Sequence, residues 1–344
     1  MKTLMLLANA YISQEYKCFF FANIKTLSPP LFGVNSKEES WGFMSDDKKD
    51  LYPDLGLKDI IEILNKKDRE RLKKAVYSTE GVEVVSDLSY KADGDFYHDF
   101  DLYYGNSSGE SLPTVLCVHG GGLVYGTKDL NKQMGIYLAK LGFNLVNINY
   151  RLLPDVTFTD QVKDVADAFA YIYENSPTIK LNRNEIFILS DSAGSLLSLA
   201  AYALMKDSNI RNVFGINALD FDISGLAFIS PMTGLVKSGS LSLINEPARR
   251  NLTTEQIPFT DNILKALANT TLPPSIIITS EEDFIRDQAL GLKNFLDSKN
   301  IENKFLDFKK KESYPLGHGF AISHPNLDES DFVIDEIIDF FENI

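Results

Sequence analysis

The stretch Ile188-Leu189-Ser190-Asp191-Ser192-Ala193-Gly194-Ser195 decides the fold class, because an apolar strand runs directly into a serine that is followed by helix formers. This arrangement is typical of a nucleophile elbow, a sharp strand-to-helix turn that lifts a serine hydroxyl clear of a sheet. The turn needs small residues two positions before and after the serine. Gly194 meets that need, whereas Ser190 stands where glycine is usual, so the stretch alone also fits a serine-rich helix N-cap.

Strands and helices alternate on either side of this turn, which predicts an α/β fold with a mostly parallel central sheet and helices on both faces. Short apolar runs, typical of parallel strands buried on both faces, lie at residues 113–118, 144–148, 186–189, 226–229 and 276–279. Helix candidates lie at residues 131–141, 160–174, 192–205 and 286–298. Residues 82–85 and 100–104 are predicted to open the sheet, 305–308 to add a last strand, and 331–341 to form a closing amphipathic helix.

A glycine run follows the first of the buried apolar strands. Three consecutive glycines, Gly120, Gly121 and Gly122, let the backbone approach a ligand closely and point amide hydrogens at it. Acyl transfer requires such donors around the oxygen that becomes negative in the tetrahedral intermediate. We therefore expect the amides of Gly121, Gly122 and Ala193 to form an oxyanion hole, with His119 and Gly120 shaping the loop. A flexible glycine turn is the alternative.

A serine nucleophile needs a base and an acid, and in this kind of sheet the acid and then the histidine follow the serine along the chain. Of the four histidines, only His318 and His324 follow Ser192. His318, in a glycine-flanked loop after the last predicted strand, is the expected base, and His324 is expected at the surface. Asp283, in the loop beyond the strand 276–279, is the expected acid. The other candidates are Glu281, Glu282 and Asp287, the last of which suits the first turn of the following helix.

Composition and charge disfavour several classes of function. A net charge of −14 argues against binding to nucleic acid or to an anionic membrane surface. No apolar run reaches the roughly 18 residues of a membrane span. Cys18 and Cys117 provide no disulfide framework, and Cys117 is expected to be a buried, inert thiol. We expect a cytoplasmic protein; secretion, the alternative, rests on an apolar stretch after Lys2 of only about seven residues.

Two segments stand outside the alternating pattern and are predicted to cap the site. Residues 1–80 form an N-terminal segment, followed by a catalytic domain at 81–344, and the segment 232–272 interrupts that domain. Helix candidates in these segments lie at residues 59–64, 68–76 and 261–267. An insertion between late strands usually lies over the strand ends, where ligands bind. Packing of the N-terminal segment on the back of the sheet is the alternative.

Five motifs over residues 80–340 resemble those of the hormone-sensitive-lipase-like branch of the α/β-hydrolase esterases. They are His119-Gly120-Gly121-Gly122; Tyr150-Arg151-Leu152-Leu153-Pro154-Asp155, similar to Y-R-L-A-P-E; Asp191-Ser192-Ala193-Gly194, similar to G-D-S-A-G-G; Asp283 through Asp287, similar to D-P-L-x-D; and His318-Gly319-Phe320. The resemblance implies the α/β-hydrolase fold with a helical cap, a Ser-His-Asp triad, structural roles for Tyr150 and Arg151, and a homodimer. Departures from the family pattern are Ser190 and Ser195 in place of glycines and Phe284-Ile285 in place of proline-leucine.

The residues and the resemblance together predict a serine carboxylesterase. It would hydrolyse small, short-chain carboxylic esters through an acyl-enzyme formed on Ser192, without metal or cofactor. A serine amidase or peptidase with the same residues and a catalytically silent ligand-binding scaffold are the alternatives. The expected partners are an ester substrate and a second copy of the chain, and neither nucleic acid nor stable membrane insertion is expected.

Overall fold

The structure is a computed structural model that describes residues 56–75, 78–105, 112–237 and 240–344. All of these residues lie in one structural unit, Ser40–Ile344. The apolar stretch after Lys2, Cys18 and most of the predicted segment 1–80 lie outside the described residues. The strands are β1 (Val82–Ser89), β2 (Asp99–Gly105), β3 (Thr114–Val118), β4 (Asn144–Ile148), β5 (Ile186–Asp191), β6 (Gly225–Ile229), β7 (Ser275–Ser280) and β8 (Asn303–Phe308).

The eight strands form a single sheet in the order β1-β2-β4-β3-β5-β6-β7-β8. Strand β2 pairs antiparallel with both β1 and β4, and all the other neighbours are parallel. The predicted mostly parallel sheet is therefore confirmed. Strands β3 to β7 are buried along their whole length, because helices cover both faces, while the edge strand β8 is half-buried.

Helices flank the sheet and fill the connections between its strands. They are α1 (Leu57–Lys74), α2 (Lys132–Lys140), α3 (Phe158–Asn175), α4 (Ala193–Lys206), α5 (Ser208–Phe214), α6 (Asn245–Arg249), α7 (Ile257–Asp261), α8 (Ile263–Ala266), α9 (Arg286–Ser298), α10 (Phe320–Ser323) and α11 (Asp328–Glu342). Helices α2 and α11 contribute to one apolar core, and α3, α4 and α9 to the core on the opposite face. Within the described ranges, no helix has the length and apolar character needed to cross a bilayer.

The helices of the two predicted capping segments differ from expectation. The candidates at 59–64 and 68–76 form one helix, α1, because Ile60 and Leu64 share a buried face while the charged residues between the two candidates lie on its outer side. The candidate at 261–267 is confirmed only over α8, since Asn262 has an extended backbone that separates α8 from α7. The Asn262 side chain accepts a hydrogen bond from the amide of Leu264 at 3.1 Å and so begins the second helix.

Candidate active site

Ser192 occupies the turn between β5 and α4. Its φ of 47° lies in the left-handed region that residues with a side chain rarely adopt. Two backbone hydrogen bonds of 3.0 Å hold this conformation, from the Ser192 amide to Ile229 O and from the Met232 amide to Ser192 O. A Cβ on Gly194 would stand 2.2 Å from Val118 O, so glycine there lets α4 approach β3. The chain around Ser192 thus has the form of a nucleophile elbow.

The two serines that replace glycines around this elbow bond to each other. The Ser190 and Ser195 hydroxyl oxygens lie 3.2 Å apart, and both residues are fully buried. Burying a hydroxyl without a hydrogen-bond partner costs free energy of folding, and here each hydroxyl is the hydrogen-bond partner of the other. The serine at position 190, where the family has glycine, is therefore accommodated through its hydrogen bond to Ser195, which also replaces a glycine.

Three side chains from separate parts of the chain meet above the elbow. His318 Nε2 lies 2.8 Å from Ser192 Oγ, and His318 Nδ1 lies 2.8 Å from Asp283 Oδ1. The carboxylate accepts the Nδ1–H, which leaves Nε2 to accept the proton of the serine hydroxyl. All three residues are buried, with exposed fractions of 8% for Ser192, 5% for His318 and 6% for Asp283.

The environment of Asp283 favours its ionised form. The Thr279 hydroxyl donates to Oδ2 at 3.1 Å, and the Ile285 amide donates to Oδ1 at 3.0 Å. Burial alone would raise the pKa of Asp283, but the charge and hydrogen bond of His318, the Ser230 hydroxyl and the Ile285 amide outweigh burial and lower it. Asp283 is therefore a carboxylate at neutral pH and can orient the imidazole.

The other acid candidates point elsewhere. Glu282 Oε2 accepts a hydrogen bond from the Leu316 amide at 2.9 Å, which supports the loop that carries His318. Glu281 is exposed and pairs with Lys309 at 2.8 Å. Asp287 lies in the first turn of α9, where its charge complements the helix dipole, as predicted.

His324 differs from its expected place at the surface. It is half-buried, and its Nδ1 lies 2.9 Å from Ser323 Oγ. The short helix α10 accounts for this position, because the His324 amide donates to Phe320 O at 2.8 Å and turns the chain back. The triad geometry involves His318.

The predicted oxyanion loop follows β3 in a tightly folded turn. Gly121 has a φ of 117°, and a Cβ there would stand 1.9 Å from Tyr125 O, so only glycine fits. Within the described part of the chain, no group accepts a hydrogen bond from the amides of Gly121, Gly122 or Ala193. Gly121, Gly122 and Ser192 line the same cleft. Donors of this kind beside a nucleophile are suited to a developing oxyanion.

His119 and Tyr150 brace that loop from below. Their rings stack with centroids 4.3 Å apart, and the Tyr150 hydroxyl donates to His119 O at 2.8 Å. His119 Nδ1 donates to Gly120 O at 2.6 Å. Arg151 instead bonds to the buried Asp164, with Nε 2.7 Å from Oδ2. His119 has no exposed surface and cannot act on a substrate, and these contacts agree with structural roles for Tyr150 and Arg151.

His119 gives a test of this packing through the pH dependence of stability. Burial lowers the pKa of His119 to about 4, with its hydrogen bond to Gly120 opposing the shift. An unfolded histidine has a pKa of about 6.5, so between these values the unfolded chain binds a proton that the folded chain does not. The free energy of unfolding should therefore rise with pH in this window, by up to about 1.4 kcal/mol per pH unit from this residue.

Urea denaturation of the wild type and of His119→Phe at several values between pH 4 and 6.5 measures this contribution. The phenylalanine keeps a ring against Tyr150 but cannot titrate, so its slope against pH should be shallower by the amount that His119 supplies. Since every other group is shared, the difference between the two slopes isolates His119. Equal slopes would mean that His119 is not buried in its neutral form.

Asp191, beside the nucleophile, ties the glycine loop to the elbow. Asn131 Nδ2 donates to Asp191 Oδ1 at 2.9 Å, and a Cβ on Gly120 would stand 2.3 Å from Asp191 Oδ2. Burial raises the pKa of Asp191, against hydrogen bonds from Asn131 and the Gly120 amide and the charges of His318 and Arg71. This carboxyl is therefore engaged by the loop.

Helix α1 supplies a wall of the cleft that holds these residues. The cleft encloses about 460 Å³, part of it open to solvent, and its described lining comprises Asp68, Arg71, Gly121, Gly122, Tyr125, Leu130, Asp191, Ser192, His318, Gly319, Ile322 and Ser323. Arg71 Nε bonds to Asp68 at 3.1 Å, and Arg71 Nη1 donates to Ile322 O at 3.1 Å. A charged pair from the N-terminal segment therefore lines the same cleft as the nucleophile, and the sequence patterns gave no indication of it.

Ser230 and Phe284 also reach the site without having been predicted. Ser230 follows β6 and accepts a hydrogen bond from the Gly319 amide at 2.9 Å. The Phe284 ring, in the position of the family's proline, packs against the His318 ring with centroids 4.5 Å apart. The signal for Ser230 was available, because side chains at the carboxyl ends of neighbouring parallel strands gather at one edge of the sheet.

Neither a metal cluster nor a reactive thiol is found among the described residues. No group of three or more histidine, cysteine or acidic side chains is arranged there to hold a metal ion. Cys117 is buried, as expected, with its sulfur 3.3 Å from Asn131 Nδ2. Burial raises the pKa of this thiol far above its ordinary value, which keeps it protonated and unreactive.

Comparison with known proteins supports the same family of folds. The model of the BD-FAE family matches residues 100–285, which is more than half of the chain. The chain belongs to the BD-FAE family. The matched range contains the glycine loop, Ser192 and Asp283, while His318 follows it. The resemblance to the hormone-sensitive-lipase-like α/β-hydrolases, drawn from the motifs, is thereby confirmed.

Sequence relatives and solved structures agree with this family. The acetyl esterase of Salmonella typhi is 26% identical over 201 residues, which cover 55% of this chain and 60% of that protein. The chain thus matches less than two thirds of the length of such curated relatives. Esterase B from Lactobacillus rhamnosis has a TM-score of 0.77 at 21% identity, covering 87% of this chain and 96% of that one. A hyperthermophilic esterase from Pyrobaculum calidifontis has a TM-score of 0.64 at 22% identity, covering 84% and 91%. These structures share the α/β-hydrolase fold.

Proposed function

We propose that the chain is a serine carboxylesterase that hydrolyses small, short-chain carboxylic esters. The observation that carries the proposal is the pair of 2.8 Å contacts joining Ser192 Oγ to His318 Nε2 and His318 Nδ1 to Asp283 Oδ1. A serine becomes nucleophilic only when a base accepts its proton, and this relay supplies both the base and the group that orients it. The acetyl esterase activity named for the Salmonella relative belongs to the same reaction class.

The proposed reaction proceeds in two halves. His318 Nε2 takes the Ser192 proton as Oγ attacks the ester carbonyl carbon, and Asp283 stabilises the imidazolium that forms. The tetrahedral intermediate collapses, its bond to the alcohol oxygen breaks, and His318 returns the proton to the leaving alcohol. Water then attacks the acyl-enzyme with His318 again as base, which releases the carboxylic acid and restores the serine.

The glycine loop and the first amide of α4 would stabilise the negative oxygen of both intermediates. The amides of Gly121, Gly122 and Ala193 are the proposed donors, since they belong to residues around Ser192 and have no acceptor within the described part of the chain. Donors fixed in this way need no reorganisation when the oxyanion forms. This preorganisation supplies much of the rate enhancement of such sites.

Active-site titration tests the proposal most directly. A fluorophosphonate probe should label one serine per chain, and peptide mapping should assign the label to Ser192. Matched p-nitrophenyl butyrate and butyryl p-nitroanilide substrates then distinguish an esterase from an amidase with the same residues. No labelling at all would contradict the proposed nucleophile and indicate a silent scaffold, whereas labelling without turnover of either substrate would contradict the proposed short-chain ester substrates.

The preference for short acyl chains rests on helix α1. Ile60 and Leu64 are buried against the core and fix this helix, and Asp68 and Arg71 face the cleft. A long alkyl chain leaving the cleft on this side would have to desolvate the charged pair, which costs free energy without a compensating polar contact. We propose that α1, the described part of the segment 1–80, caps the site together with residues 232–272.

We expect kcat/KM for p-nitrophenyl esters to fall by at least about tenfold between butyrate and laurate, equivalent to about 1.4 kcal/mol of lost transition-state binding. Arg71→Ala should make the values of kcat/KM for butyrate and laurate more similar, because it removes the guanidinium charge from the cleft. Lys66→Ala, an exposed position on the same helix, is the matched control and should leave the preference unchanged. Equal or better turnover of long-chain, emulsified esters by the wild type would contradict the closed cleft.

The cytoplasmic location and the homodimer stay predictions. Size-exclusion chromatography with light scattering of the purified chain measures the second of them directly.

A further inference from the structure

Ser230 lies directly after β6, between the loop of the proposed acid and the loop of the proposed base. It is 2% exposed and has a φ of 50°. This left-handed backbone conformation is unfavourable for any residue that has a side chain. Its amide donates to Ile278 O at 2.7 Å, which anchors it to β7. Its hydroxyl oxygen accepts a hydrogen bond from the Gly319 amide at 2.9 Å. Gly319 is the residue that follows His318.

The hydroxyl of Ser230 acts next to the base, because its oxygen accepts the hydrogen bond of the Gly319 amide. The amide of the same residue is bonded to Ile278 O on β7, and β7 leads into the loop that carries Asp283. The hydroxyl is also one of the groups that hold the pKa of Asp283 down against the effect of burial. Ser230 thus joins the strand that leads to the acid to the backbone next to the base.

We propose that Ser230 is a positioning residue for ester hydrolysis, with its hydroxyl holding the Gly319 amide beside His318 and its own amide fixed to β7, the strand that leads to Asp283. The inference rests on the proposed function, because it concerns the same reacting groups. His318 must stay within hydrogen-bond reach of two partners at once, and Asp283 and His318 lie on loops that are 35 residues apart in the chain. A misplacement of the base by a fraction of an ångström lowers the rate of proton transfer without changing substrate binding.

Two substitutions separate the hydroxyl from the backbone strain at this position. Ser230→Ala removes the hydroxyl and keeps the Cβ, whereas Ser230→Gly removes the hydroxyl and relieves the strain at a φ of 50°. We expect both variants to lower kcat for p-nitrophenyl butyrate by about 3- to 10-fold, the size expected for losing one hydrogen bond to a backbone amide, with KM changed less than about twofold. Ser275→Ala is the matched control. Ser275 is a buried serine at the first residue of β7, at the end of that strand away from Asp283, and its hydroxyl donates to Pro273 O at 2.9 Å.

A structural role alone would give a different pattern. In that case Ser230→Gly would equal or exceed the wild type in both stability and kcat, and a loss in Ser230→Ala would follow its loss of stability. Wild-type kcat in either folded variant overturns the proposal.

Proton NMR keeps the test independent of turnover. The Nδ1 proton of His318 in its 2.8 Å hydrogen bond to Asp283 should give a downfield resonance that disappears in His318→Gln. We expect this resonance to move upfield or to broaden by exchange in Ser230→Ala and Ser230→Gly, and to be unchanged in Ser275→Ala. A wild type that hydrolyses no ester would refute the proposed function, while an unchanged resonance in both Ser230 variants would refute the positioning role.

Discussion

Replacing Ser192 with alanine should abolish ester hydrolysis and leave the fold intact. The substitution removes Oγ, which contacts His318 Nε2, and no covalent intermediate can then form. In a well-studied serine protease, loss of the nucleophile costs about 10⁶-fold in kcat, and we expect a loss of that order here. Alanine keeps the Cβ and the same backbone cost at a φ of 47°, so the elbow itself should persist.

The measurement is kcat for p-nitrophenyl butyrate, together with circular dichroism and the urea midpoint of the variant. Ser198→Ala is the matched control, since Ser198 is a buried serine on α4 whose hydroxyl has no hydrogen-bond partner among the described residues. It should retain both activity and stability. A folded Ser192→Ala protein with wild-type turnover would remove Ser192 from the mechanism.

Replacing Asp283 with asparagine should lower kcat by about 10⁴-fold, the size of effect known for the corresponding substitution in a serine protease triad. A neutral amide no longer stabilises the imidazolium that forms when His318 takes the serine proton. The carboxylate also holds the Nδ1–H of His318 and the Ile285 amide on one oxygen, so an amide group placed with its NH₂ there would oppose both donors. KM should change little, because Asp283 does not line the cleft.

Two neighbouring acids provide the controls for Asp283. Asp287→Asn alters an exposed carboxylate in the first turn of α9 and should leave kcat unchanged. Glu282→Gln alters the partner of the Leu316 amide and should reduce activity less than Asp283→Asn does, because an amide oxygen can still accept that hydrogen bond. If Glu282→Gln or Asp287→Asn abolished turnover and Asp283→Asn did not, another carboxylate would be the acid.

The strands could be predicted because each apolar run is recognised from contiguous residues alone. Every strand proposed from an apolar run exists, with ends that differ by no more than a few residues. Helices that depend on contacts with distant segments were predicted less well. The pattern gave no sign of α5 or α10, and the candidate at 261–267 included Asn262 because the extended backbone of that residue is not readable from periodicity.

Within the candidate site, the elbow and the glycine loop could be predicted because the required small residues and the strand that precedes them are contiguous. Gly121 and Gly194 stand where a Cβ would strike backbone oxygen, and that requirement leaves a mark in the sequence itself. No local sequence pattern indicates that Arg71 lines the cleft. It lies 121 residues before Ser192 (192 − 71), and helix packing alone brings it to the cleft.

The sequence by itself determined the α/β-hydrolase class, the order of serine, acid and histidine, and the strand ends from which they project, since these follow from short-range patterns and from the parallel arrangement of strands. Only the tertiary structure decided which of four acidic residues within seven positions reaches His318, that Ser190 and Ser195 bond to each other, and that Ser230 holds the backbone beside His318. The physical reason is that a hydrogen bond requires two atoms within about 3 Å and a suitable angle. Such a placement depends on how loops distant in the chain pack together, which no local pattern encodes.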